Sequence, residues 1–130
     1  MSGLCLAAAG LVLALPLQGF TLAWTHSIEK VRWEEDYRIT AGRLQVVEAR
    51  ILGTGAGMEP PPDAVLKEGV WHYRPQIAPL ERVRLTRSGY VADYQFCAAG
   101  QCRPLGDIVG AQADTVDMYA CDTGAGPARP

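Results

Sequence analysis

The first quarter of the chain alternates apolar runs with turn residues. Leu4-Cys5-Leu6 leads into Ala7-Ala8-Ala9-Gly10, then Leu11 to Leu15, then the turn-like Pro16 to Gly19, then Phe20 to His26. Three short runs separated by turn residues predict a β-meander. In the last run Phe20, Leu22, Trp24 and His26 fall on one face and Thr21, Ala23 and Thr25 on the other, the period of two of a half-buried strand. The apolar stretch from Leu4 to Leu17 is shorter than the roughly 20 residues that span a bilayer, so no transmembrane span is predicted. An export signal over residues 1–19 is the alternative to strands. Against it, Met1-Ser2-Gly3 carries no Lys or Arg, and no small-x-small cleavage site precedes Phe20.

After His26 comes a polar segment, Ser27 to Asp36, then Tyr37-Arg38-Ile39, an Ala41-Gly42 turn signal and the run Leu44 to Leu52, which together predict a hairpin. Val47, Ala49 and Ile51 are expected on its core face and Glu48 and Arg50 in water, with the Val46-Val47 doublet marking a bulge or two-sided burial. The stretch Gly53 to Asp63 holds three glycines and three prolines in eleven residues, too many breakers for a helix or central strand, and reads as a long shaped loop. Further strands are expected at Val70 to Tyr73, Arg82 to Arg87 and Tyr90 to Cys97, and no long stretch carries a helical stripe. Residues 124–130 read as a disordered tail. Seven to nine short strands give an all-β fold, a single antiparallel β-sandwich or small β-barrel over residues 1–123.

Composition agrees with a folded domain and narrows the function. The 130 residues are 48% hydrophobic and 20% charged, which argues against a disordered chain, and the length suits one domain. Twelve basic residues are scattered among fourteen acids for a net charge of −2, which is no footprint for nucleic acid. Cys97 and Cys102 enclose Ala98 to Gln101, a natural four-residue hairpin loop, so a disulfide between them is reasonable. Cys5 and Cys121 remain for a second bond, with small buried thiols as the alternative for all four. The Cys97 to Cys102 spacing without further Cys or His partners is a poor zinc site.

The densest polar feature joins His26, Ser27, Glu29, Lys30 and Arg32 to Trp33, Glu34, Glu35 and Asp36. Placing Ser27 beside His26 does not make a hydrolase, because adjacent side chains on an extended chain diverge and no nucleophile elbow accompanies them. The glycines from Gly53 to Gly57 lack the Lys-Ser/Thr ending of a phosphate loop and suit conformation rather than phosphate binding. No catalytic residue, cofactor or metal site is assigned. His26 and Glu59 are the alternative pair for a small ligand or divalent ion. A bland reading pairs Glu29, Glu34 and Glu35 with Lys30, Arg32 and Arg38 as solvated ion pairs.

The segments His26-Ser27-Ile28-Glu29-Lys30, Trp33-Glu34-Glu35 and Gly55-Ala56-Gly57-Met58-Glu59-Pro60-Pro61 resemble the hallmark of a bacterial family of small proteins encoded beside TRAP transporters of the TAXI type. That resemblance, which runs from about Phe20 to Leu105, implies an uncharacterised, non-enzymatic accessory role in solute uptake. It makes transporter components or the solute-binding protein the expected partners. The expected surface comprises His26, Ser27, Glu29, Lys30, Trp33, Glu34, Glu35, Gly55, Gly57, Met58 and Glu59. The cell envelope or periplasm is the implied location, and the cytoplasm is the alternative given the weak export signal.

Overall fold

The computed structural model describes residues 2–25, 31–52 and 61–122. They form two antiparallel sheets packed as a β-sandwich, with a single short helix. In chain order the elements are β1 (Ser2–Ala8), β2 (Leu11–Leu15), β3 (Gly19–Thr25), β4 (Arg32–Thr40), β5 (Arg43–Leu52), β6 (Val65–Lys67), β7 (Val70–Tyr73), β8 (Val83–Thr86), β9 (Gln95–Ala98), β10 (Gln101–Pro104), α1 (Gly106–Val109) and β11 (Thr115–Asp122). The smaller sheet runs β2-β1-β11-β8 and the larger β10-β9-β3-β4-β5-β7-β6.

Local turn chemistry sets much of this order. Four hairpins close with two residues whose φ angles are positive in succession: Ala9-Gly10, Ala41-Gly42, Glu68-Gly69 and Ala99-Gly100. Such a turn matches the right-handed twist of the strands it joins, and the glycine at its second position adopts the conformation without a Cβ penalty. The Cys97–Cys102 hairpin therefore has a two-residue loop, not the four-residue loop expected from spacing, and Cys97 stands directly opposite Cys102. Both disulfides are formed, Cys97–Cys102 within that hairpin and Cys5–Cys121 between β1 and β11.

The core lies between the sheets. Leu4 and Leu6 of β1, Val116 and Met118 of β11 and Leu85 of β8 meet Phe20 and Leu22 of β3, Tyr37 and Ile39 of β4, and Leu44 and Val46 of β5. Phe20 stacks between Tyr37 and Phe96, with ring centroids 4.9 and 5.2 Å away. The apolar opening stretch thus supplies two strands, and the side chains of Leu4 and Leu6 are wholly buried.

Several expectations need correction. The polar run Trp33 to Asp36 is not a connecting segment but the first half of β4. Val47 is not a core residue, since Leu44, Val46, Ala49 and Ile51 occupy the inner face of β5. Residues 90–94 do not begin a strand; β9 starts at Gln95, and Tyr90 stands in solvent because no neighbouring strand pairs with that segment. Eleven strands rather than seven to nine are present among the described residues, β6 and β11 being additional, and α1 was not foreseen. No helix among them is long and apolar enough to cross a membrane.

Candidate functional site on the outer face of the larger sheet

The outer face of β3, β4, β5 and β7 carries a network centred on Arg50. Register explains it. Glu34 pairs with Arg50 and Arg50 with His72 in one cross-strand row, while Thr21, Asp36 and Glu48 form the next. Side chains directly or diagonally opposite on one sheet face lie within reach of one another. The bulge makes this possible: the pairing shifts between Asp36 and Tyr37, leaving Val47 as an extra residue in β5. Without it, strict alternation from Leu44 and Val46 would turn Glu48 and Arg50 into the core; the inserted residue puts Ala49 and Ile51 there instead.

Arg50 uses its whole guanidinium. Nε donates to Glu34 Oε1 at 2.8 Å, Nη2 to Asp36 Oδ1 at 2.7 Å, and Nη1 to Asp36 Oδ2 at 2.8 Å and Glu48 Oε2 at 2.7 Å. Arg32 Nε donates to the second oxygen of Glu34 at 2.8 Å, and Thr21 Oγ1 donates to Asp36 at 2.6 Å. His72 Nδ1 lies 3.2 Å from Glu48 Oε2. The Arg50 side chain is only 19% exposed, so water competes weakly at the hub. The planar fork of an arginine suits this bidentate grip on Asp36.

Each carboxylate titrates below its ordinary range. For Glu34, burial alone would raise the value, and the hydrogen bonds and charges of Arg32 and Arg50 outweigh it. Asp36 is lowered chiefly by its Arg50 hydrogen bonds, against burial, with help from Thr21. For Glu48 burial would raise the value, and the hydrogen bonds and charges of Arg50 and His72 together bring it below the ordinary range. Arg50 is in turn raised, first by Asp36. Glu34, Asp36, Glu48 and Arg50 thus hold one another in their charged forms.

Glu35 and Trp33 face the opposite way, into the sandwich. Tyr37 donates to Glu35 Oε1 at 2.7 Å, and burial first and the Glu35 charge second raise Tyr37 and Tyr73 above the ordinary phenol range. Trp33 stacks on Trp24 at 6.3 Å, and Trp24 meets Tyr94 edge-on at 6.2 Å. The expected surface is thereby split: Glu34 lies on the outer face, while Trp33 and Glu35 lie on the inner face opposite Ile51 and Ala49. The bland ion-pair reading holds for Glu34 with Arg32, but Glu34 also pairs with Arg50, and Glu35 bonds a tyrosine rather than Arg38. His26, Ser27, Glu29, Lys30, Gly55, Gly57, Met58 and Glu59 lie outside the described residues. The strand ends flanking them do not: Thr25 pairs with Arg32 and Arg32 with Leu52, so the chain departs toward both segments from the same end of the sheet's three central strands.

Two shallow depressions flank Val47 on this side. One, of about 560 Å³, lies between Thr21, Asp36 and Arg38 and the Cys97–Cys102 hairpin. The other, of about 330 Å³, is bounded by Glu48, Asp63, Lys67, His72 and Arg74. Among the described residues, no group of three or more His, Cys, Asp or Glu is placed to hold a metal ion.

Sequence reasoning missed Asp36, Glu48, Arg50 and His72 as one cluster. The separations of 14 and 16 residues between Arg50 and its β4 partners carry no local signal. The Val46-Val47 doublet was the usable clue, because a bulge there redirects Arg50.

The fold and this face define an all-β, two-sheet domain that presents a salt-bridged polar platform on its larger sheet. Residues 20–105 match the family model described as a domain of unknown function, DUF1850, and the chain belongs to that family. Nothing among curated proteins or solved structures matches it. The match takes in nearly all of the larger sheet together with β8, and leaves β1, β2 and β11 outside.

Proposed function

We propose that this domain is a non-enzymatic accessory of a TAXI-type TRAP solute uptake system, and that it recognises a transporter component or the solute-binding protein. Its contact surface is the end of the larger sheet's three central strands, at Thr25, Arg32 and Leu52. The observation that carries this reading is the side-by-side placement of Thr25, Arg32 and Leu52, from which the chain leaves toward both hallmark segments. The Glu34–Arg50–Asp36 network next to that end supports it, because charges already paired and ordered lose little entropy when a partner arrives.

In cells that depend on such a system, His26→Ala, Glu29→Ala and Glu59→Ala combined should slow uptake while far-UV circular dichroism stays unchanged. Unaltered uptake with a folded variant would remove this surface from the function. The alternative reading is binding of a small ligand or divalent ion through His26 and Glu59. Isothermal titration with dicarboxylates and divalent ions separates the two, since a domain that only binds proteins releases no saturable heat with either.

A further inference from the structure

The four edge strands of the two sheets are not alike. β8 carries Arg84, held by Asp117 at 2.8 Å; β10 carries Arg103 and ends at Pro104; β6 is three residues long and ends in Lys67. Charge, proline and shortness are the usual ways a protein keeps an open edge from pairing with another chain. β2, Leu11-Val12-Leu13-Ala14-Leu15, has none of them. Leu11 and Val12 are 67% and 59% exposed, the two most exposed aliphatic side chains among the large hydrophobics of the described residues.

The backbone of β2 specifies what fits there. Ala8 and Leu11 close the two-residue Ala9-Gly10 turn, so they exchange hydrogen bonds, as do the alternate pairs Leu6–Leu13 and Leu4–Leu15. The N–H and C=O groups of Val12 and Ala14 consequently point away from β1, toward the open edge. A second β2 running antiparallel about a two-fold axis at Leu13 sets Val12 opposite Ala14 of its mate and Ala14 opposite Val12. All four outward groups of each strand are then used, and β2 itself carries no charged side chain into the pairing.

The same register sets Leu11 of one copy opposite Leu15 of the other. Leu15 lines a mainly apolar pocket of about 240 Å³ at the open side of the sandwich, walled also by Leu17, Phe96 and Ile108, with Gln101 and Arg103 among its lining. An exposed leucine and an apolar pocket able to take an aliphatic side chain are thus brought together twice by one symmetry operation.

We propose that two copies of this chain pair edge to edge through β2, forming a continuous eight-stranded sheet with Leu11 of each copy seated in the Leu15–Phe96–Ile108 pocket of the other. An interface of this kind is isologous and closes on itself, so it yields a dimer rather than a fibre. It uses strands outside the family match and leaves the outer face of the larger sheet open, so it stands independently of the function proposed above.

Sedimentation equilibrium over a micromolar to millimolar series tests it on the intact, oxidised chain. Wild type should sediment as a dimer. Leu11→Lys, at a site already open in the single chain, should raise the dissociation constant by roughly a hundredfold or more, as expected for losing two buried leucine anchors. Val12→Cys and Ala14→Cys proteins, mixed under oxidising conditions, should form a crosslinked heterodimer that Val65→Cys on β6 does not form with either. Both cysteine sites are exposed, so the fold is retained. A wild-type monomer throughout the series overturns the proposal, and so does a dimer that survives Leu11→Lys or fails to crosslink between positions 12 and 14.

Discussion

Replacing Arg50 with methionine keeps most of the aliphatic stem on the sheet and removes the charge that holds Glu34, Asp36 and Glu48 together. Fully exposed ion pairs contribute about 0–1 kcal/mol each, while removing one partner of a fully buried pair costs about 3–5 kcal/mol. The Arg50 network lies between these limits, because the hub is 19% exposed and its three partners range from 18% to 40%. Allowing about 0.7 kcal/mol per partner after solvent screening gives a loss of about 2 kcal/mol at neutral pH. For a domain of this size that lowers the melting temperature by about 6 °C.

Acid sharpens the test. The folded-state values of all three carboxylates are lowered, so their contribution is fully present above the unfolded value of about 4 and disappears as the pH falls through the folded values. Arg50→Met removes the one cause of lowering that all three share, leaving Arg32 at Glu34, Thr21 at Asp36 and His72 at Glu48. The gap between wild type and variant should be widest near neutrality and close below about pH 4. Equilibrium urea unfolding, followed by the fluorescence of Trp24, Trp33 and Trp71 with disulfides intact, measures it. A gap under about 0.5 kcal/mol at neutral pH, or one that does not shrink on acidification, would show that the network adds nothing beyond packing.

The two disulfides should differ in worth. Cys5–Cys121 closes a separation of 116 residues and Cys97–Cys102 one of 5, so the chain-entropy relation gives about 5 kcal/mol for the first and about 2 kcal/mol for the second. Urea midpoints of the Cys5→Ser/Cys121→Ser and Cys97→Ser/Cys102→Ser proteins check the order, and equal losses would defeat the loop-length reasoning. Asp93 accepts from Arg87 twice at 3.0 Å, from the Gly106 N–H at 2.7 Å and from the Tyr94 N–H at 2.8 Å. Asp93→Asn should cost about 2 kcal/mol at neutral pH and progressively less in acid, because burial opposes but those donors lower the Asp93 titration; a loss independent of pH in calorimetry contradicts this.

What could be read from the sequence was local. The alternation in Phe20 to Thr25 and the Ala41-Gly42 turn each encode their element within a few residues, and the structure follows them. The run Trp33-Glu34-Glu35-Asp36 defeated that reading, since three adjacent carboxylates look like solvated loop. They sit in a strand because Arg32 and Arg50 neutralise the outward pair and Tyr37 bonds the inward one. Tyr90 to Tyr94 failed in the other direction: alternation alone makes no strand where no partner edge is offered. Of the expected surface, Glu34 was found in sequence, whereas Arg50 and His72 join it only through the register of strands remote in the chain.

The pairing of β1 with β11 sets an order of events for a chain made from its N-terminus onward. β1 has only β2 beside it until Thr115 to Asp122 emerge, so the apolar Leu4–Leu15 hairpin lacks its second neighbour while the roughly 100 residues between them are made. At about 5–20 residues per second that wait lasts many seconds. The larger sheet, built mostly from consecutive hairpins, can assemble meanwhile. The Cys5–Cys121 bond has to wait for Cys121 to be made, and once β11 lies beside β1 it seals the pair that joins the two ends of that interval.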